Sequence, residues 1–176
     1  MDFATAIGFE QTHQPQHIIF IRLVIASLLG ALIGFERGSR TATAGLRTHI
    51  LIALAAALFT TLAFEIYHES MEGGASQNTD PIRAIEAVTA GIAFLGAGAI
   101  FQQRGSIQGL TTGAGMWLAG AVGVCAALGY YVIAFAVAVF AVLVLVALRA
   151  FSHQVVNAKS DPDDEGTEAG EGRSSS

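Results

Sequence analysis

Charged side chains are scarce in this sequence. Asp, Glu, Lys and Arg make up 13% of its 176 residues against 53% hydrophobic ones, and the mean hydropathy is +0.57. A soluble domain carries about 25% charged residues, so this chain has too little polar surface to cover a water-soluble globule. Cysteine is limited to Cys125, which excludes an intramolecular disulfide and a cysteine-built metal cluster. The first residues, MDFATAIGFEQTHQPQH, lack the basic stretch of a cleaved signal peptide. No P-loop, zinc motif or nucleophile–base pattern is visible, and Ser and His are too scattered for a triad. The expectation is a protein that is not an enzyme and needs no cofactor.

The net charge of −5 is unevenly placed. Residues 1–159 hold eight acids and eight bases, and the whole excess lies in the acidic stretch SDPDDEGTEAGEGRSSS. A neutral body with an acidic tail has no nucleic-acid footprint. The tail has almost no large apolar side chains and is expected to be disordered over 152–176.

What the chain has in abundance is long apolar runs. Five of them, at about 18–35, 48–67, 84–101, 110–128 and 131–150, approach or reach the roughly 17–25 helical residues that cross a bilayer. In lipid the backbone must satisfy its own hydrogen bonds, so helix is the only sensible form for runs of this length, and no alternation of a membrane barrel is present. The expected fold is therefore an all-α integral membrane bundle over 18–151, after a short extracytoplasmic segment 1–17.

Arginine placement sets the expected orientation. With the N-terminus outside, the inner connections hold Arg37, Arg40, Arg47, Arg104, Arg149 and Lys159, and the outer ones only Arg83. The positive-inside rule selects this topology, with the C-terminus in the cytoplasm. The cluster FERGSRTATAGLRTH then reads as a cytoplasmic anchor between helices one and two.

Small residues recur every fourth position: Ala26, Gly30 and Gly34 in the first run, Thr111, Gly115, Ala119, Gly123 and Ala127 in the fourth, and Ala87 and Gly91 with Gly98 in the third. Such stripes let helix backbones approach in a membrane, and all three are expected to be buried in helix–helix contacts. The sharper reading is a helix break that opens a cavity.

Three motifs, ERGSRTATAGLRTH, GIAFLGAGAI and GLTTGAGMWLAGAVG, resemble in order and spacing the MgtC/SapB family of bacterial inner-membrane proteins, over roughly residues 23–150. The resemblance implies a five-helix membrane domain in the inner membrane and adaptation to low magnesium. It also implies host-cell survival for pathogenic members and restraint of the membrane ATP synthase. The partners expected on that basis are the bilayer, another membrane complex and a further copy of the chain. The family's namesake has a soluble C-terminal domain where this chain has only the acidic tail. A Gln usual before the GIxFLGAG run is replaced by the Glu86-Ala87 region here. The motif residues Glu36, Arg37, Gly45, Arg47, Thr48, Gly91, Gly96, Gly98, Gly109, Thr111, Thr112 and Trp117 are carried over as candidates.

Several constellations have both a structural and a functional reading. Arg22, inside the first run, either snorkels to the headgroups or serves a function. Asp80 is placed to cap the third helix at Pro81, and Glu86, one turn past Arg83, faces the interface or pairs with Arg22 along a small ion or solute path. Glu65, His68, Glu69 and Glu72 share one helical face, as an exposed acidic surface or a weak divalent-cation site. Glu36-Arg37 and Arg47-Thr48-His49 lock helices one and two by ion pairs or face a partner. Thr111 and Thr112 are expected to cap the fourth helix and Trp117 to fill a gap between helices.

Overall fold

The computed structural model describes residues 12–36, 44–72, 80–103 and 106–158, with side chains for all of these but 103 and 148–158. Arg37, Arg40, Lys159 and the acidic tail lie outside the described residues, as does Arg104. Five helices run through the described residues: α1 (Gln16–Glu36), α2 (Leu46–Glu72), α3 (Pro81–Gly98), α4 (Leu110–Ala127) and α5 (Tyr131–Ala158). The first four are long and apolar enough to cross a membrane, and the described apolar part of α5 covers Tyr131–Ala147. At 1.5 Å per residue, the shorter helices α3 and α4 span about 27 Å, close to the hydrocarbon thickness of about 30 Å.

Helix α3 begins as its sequence dictates. The Asp80 carboxylate accepts the Ile82 amide at 2.9 Å, and Pro81, which has no amide to satisfy, takes the first helical position. Between α3 and α4 the sequence reading extends the helix to Phe101. The chain instead leaves α3 at Gly98 and forms a short antiparallel hairpin, β1 (Phe101–Gln103) against β2 (Ser106–Gln108), pairing Phe101 with Gln108. The β-branched and Gln-rich residues here are too few to betray a strand by periodicity.

Gly109 then turns the chain into α4 with φ +86°, a left-handed conformation that glycine adopts without penalty. The expected Thr111/Thr112 cap is replaced by this glycine, which makes no side-chain cap bond. Thr111 is exposed and Thr112 is buried. Gly129, at φ +83°, makes the corresponding tight turn between α4 and α5.

The core is built from small side chains. Ala26, Gly30 and Gly34 of α1 are buried, as are Gly115, Ala119, Gly123 and Ala127 of α4, in line with the spacing of the sequence. A methyl group on Gly34 would come within 2.8 Å of the Leu46 backbone, and one on Gly30 within 2.7 Å of the His49 carbonyl oxygen. Helix α5 adds a stripe the sequence reading passed over, Ala134, Ala138 and Ala141, while Val132, Phe135 and Phe140 point outward. Because lipid is as apolar as leucine, these contacts stabilise through close van der Waals approach and not through exclusion of water.

Helix α3 departs from expectation. Ala87, Gly91 and Gly98 are exposed, and only Ile92 and Gly96 are buried. Gly96 meets Gly113 of α4 back to back, whereas nothing lies within 4 Å of a methyl group placed on Gly91 or Gly98. Period four identified a small-residue face, but not which helix covers it.

Candidate functional site

The bundle has two ends. One gathers the start of α1, the end of α2 and the α4–α5 turn. There the segment before α1 is tied to the last turns of α2. The Glu65 carboxylate accepts the His13 amide at 2.6 Å and the Gln14 amide at 3.1 Å. His13 stacks on His68 with ring centroids 3.8 Å apart and lies 3.7 Å from Glu72. Three members of the acidic face thus anchor the N-terminal segment, while Glu69 is exposed. No group of three His, Cys, Asp or Glu side chains among the described residues is placed to hold a metal. Substituting Glu65 with Ala is expected to cost about 1–2 kcal/mol through two lost charge-assisted bonds, discounted for partial exposure. Hydrogen exchange at the His13 and Gln14 amides is expected to accelerate, and unchanged exchange would exclude the anchor.

Arg22 turns inward at this end. Its Nη1 donates to the Ala127 carbonyl oxygen at 2.6 Å, one of the carbonyls left over at the last turn of α4. The guanidinium thereby couples α1 to the negative end of α4. Around it lies a cavity of about 310 Å³ lined by Gln14, Arg22, Thr60, Thr61, Phe64 and Tyr130 among others. Glu86 does not reach it: this carboxylate is exposed on α3, which packs on α2 and α4 and not along α1. The Glu86–Arg22 pair considered from sequence is absent from the described residues, where His13 pairs with Glu72. Arg83 and Asp80 are exposed as well.

At the other end, Gly34 of α1 rests on the first turn of α2. His49 is fully buried there, its Nδ1 2.9 Å from the Gly45 carbonyl oxygen, which also accepts the His49 amide at 3.2 Å. Arg47 is exposed, Thr48 and Glu36 are half-buried, and Arg37 lies outside the described residues. Gly34 of α1 packs closely on the backbone of Leu46 and the side chain of His49 at this end. His49 was read from sequence only as part of a polar bracket. A histidine at the very start of an apolar run was the available signal.

The third feature is a groove between α2 and α3, of about 870 Å³, walled by apolar side chains with Thr48 at one end. Its lining combines the small Ala55, Ala84, Ala87 and Gly91 with the larger Phe59, Ile66 and Leu95. Trp117, expected between helices, is half exposed and edges a smaller hollow of about 230 Å³ with Ile85, Thr89 and Gly120. The sequence reading missed Gln14, Thr60 and Thr61. Adjacent threonines inside an otherwise aliphatic span were the signal for the last two.

Fold and composition together define an all-helical membrane bundle held by small side chains. The chain belongs to the MgtC family, whose model matches residues 23–154. It is 40% identical over 124 residues to Protein MgtC of Brucella abortus strain 2308, covering 70% of this chain and 48% of that one. To Protein MgtC of Salmonella typhimurium strain 14028s it is 34% identical over 135 residues, covering 77% and 54%. To YhiD of Escherichia coli K12, whose name provisionally assigns magnesium transport, it is 34% identical over 137 residues, covering 78% and 63%. The chain thus spans about half to three-fifths of the length of these curated relatives. No solved structure matches it.

Proposed function

We propose that this chain is a regulatory or accessory protein of the bacterial inner membrane that acts in magnesium limitation by docking onto another membrane complex. Five crossings put its N-terminus outside and its arginine-bearing turns in the cytoplasm, a reading supported by the bias of Arg and Lys. The observation that carries the docking mode is the open face of α3. Ala87 and Gly91 lie exposed beside an apolar groove of about 870 Å³, the small-residue surface that a partner helix packs against in lipid. By family resemblance the membrane ATP synthase is the first partner to test.

The variant Gly91→Leu places a bulky side chain in the groove at a position where an added Cβ meets nothing within 4 Å, and the bundle is expected to stay folded. Recovery of the ATP synthase membrane sector with tagged protein from magnesium-starved cells is expected to fall at least tenfold. Equal recovery with wild type and Gly91→Leu would contradict docking through this groove. The transporter reading finds less support, because Glu86 and Arg22 lie on separate parts of the described structure.

A further inference from the structure

We infer that the outward edge of α3 is an interface with a second copy of this chain, in which Arg83 and Glu86 of each copy meet Glu86 and Arg83 of the other. Both side chains are exposed on a helix whose 18 residues, about 27 Å, are only just enough to cross the hydrocarbon. Counted from Pro81, they lie about 3 Å and about 7.5 Å along its axis. Ionisable groups within a span ordinarily pair with one another or turn to the bundle interior. These two do neither. Although one helical turn apart, they form no ion pair among the described residues, and both lie off the face of Ile92 and Gly96, the buried residues of α3.

Spacing continues this edge through the rest of the helix. Arg83, Glu86, Ala90, Ala93 and Ala97 follow one another at steps of three, four, three and four, the seam along which two helices wind together. All five are exposed. Beyond the charges the seam is alanine alone, which lets two backbones come close in lipid. Where α5 faces outward it presents Val132, Phe135, Phe140 and Leu143 instead. None of the five seam residues lines the α2–α3 groove, so a second copy on this edge leaves the groove open.

Charge complementarity selects the partner. Two copies inserted with the same topology and related by a two-fold axis along the membrane normal have their α3 helices parallel and at equal depth. Under such an axis each residue meets its opposite number's partner reciprocally. Arg83 and Glu86 differ in height by about 4.5 Å, a step that the long arginine side chain bridges. Two Arg83–Glu86 pairs then form at once, and the four charges sum to zero. A partner carrying one sign of charge at this depth would satisfy only one of the two groups.

The test uses the full chain in native membranes, with Cys125→Ser as background and a single cysteine at Ala90 or, as an exposed control on α5, at Phe140. Oxidative disulfide formation is read as covalent dimer on non-reducing gels. It is expected to be at least tenfold higher for Ala90→Cys than for Phe140→Cys. Added to Ala90→Cys, Arg83→Glu and Glu86→Arg are each expected to lower it at least fivefold, and the double exchange Arg83→Glu/Glu86→Arg to restore it to within twofold. That restoration distinguishes a reciprocal pair from two groups that only reach for lipid headgroups. Gly91→Leu is expected to leave the crosslink unchanged, so groove docking and self-association stand or fall separately. Equal crosslinking at Ala90 and Phe140, single reversals without effect, or a double exchange that restores nothing overturns the interface.

Discussion

Replacing Gly123 with leucine is expected to abolish the monodisperse folded protein in mild detergent, or to lower its Tm by about 5–10 °C where some folded material remains. The cause is local. A methyl group at Gly123 would lie against the Ala53 backbone, 3.0 Å from its Cα and carbonyl carbon and closer still to its oxygen. Backbone cannot turn aside as a side chain does, so α2 and α4 must separate. Overpacking of this kind costs about 1–3 kcal/mol, and separating the helices also forfeits the contacts of Ala57, Ala126 and Ala26 in the adjoining cluster. Gly45→Ala serves as the control, since nothing lies within 4 Å of the added methyl. Size-exclusion profiles and thermal melts of the two variants provide the check. Equal stability would mean that α2 and α4 do not approach at Gly123.

Gly109→Ala is expected to act as strongly through a different mechanism. The residue sits at φ +86° between the hairpin and α4, and a methyl group there would overlap the Ala99 carbonyl oxygen. The left-handed backbone alone costs a non-glycine residue about 1–2 kcal/mol, and the steric conflict adds about 1–3 kcal/mol. The Gly113 amide, which donates to the Gly109 carbonyl at 2.8 Å, reports the damage directly. Hydrogen exchange of that amide and of the β1–β2 pair is expected to rise at least tenfold. Protection equal to wild type would show that the turn tolerates a side chain.

Much of this architecture was legible beforehand, for a physical reason. A backbone in lipid has few ways to satisfy its hydrogen bonds, so length and apolarity placed α1, α2, α4 and α5 within a few residues of their starts. Asp80 and Pro81 marked the start of α3 by chemistry that acts locally. What the residues could not reveal depends on distant partners. Ala87 and Gly91 have the same spacing as Gly30 and Gly34, yet one pair lies open and the other presses on α2. The shared face of Glu65, His68, Glu69 and Glu72 was legible from spacing, but not that Glu65 would meet amides about fifty positions earlier in the chain. Thr60 and Thr61 drew no reading from the sequence, because only the fold brings them to one cavity with Arg22 and Gln14. The hairpin at Phe101–Gln108 was hidden because three-residue strands carry no usable period.

The docking proposed for α3 and the side assigned to the arginine-bearing turn both rest on one arrangement, in which successive helices alternate in direction across the membrane. Cysteine labelling from outside intact cells tests it most directly, with Cys125→Ser as background and single cysteines at Thr43 and Gln77. The account predicts that a membrane-impermeant maleimide modifies the Gln77→Cys variant in intact cells and the Thr43→Cys variant only after the cells are opened. Labelling of Thr43→Cys from outside, with Gln77→Cys protected until lysis, would invert the orientation and contradict the account.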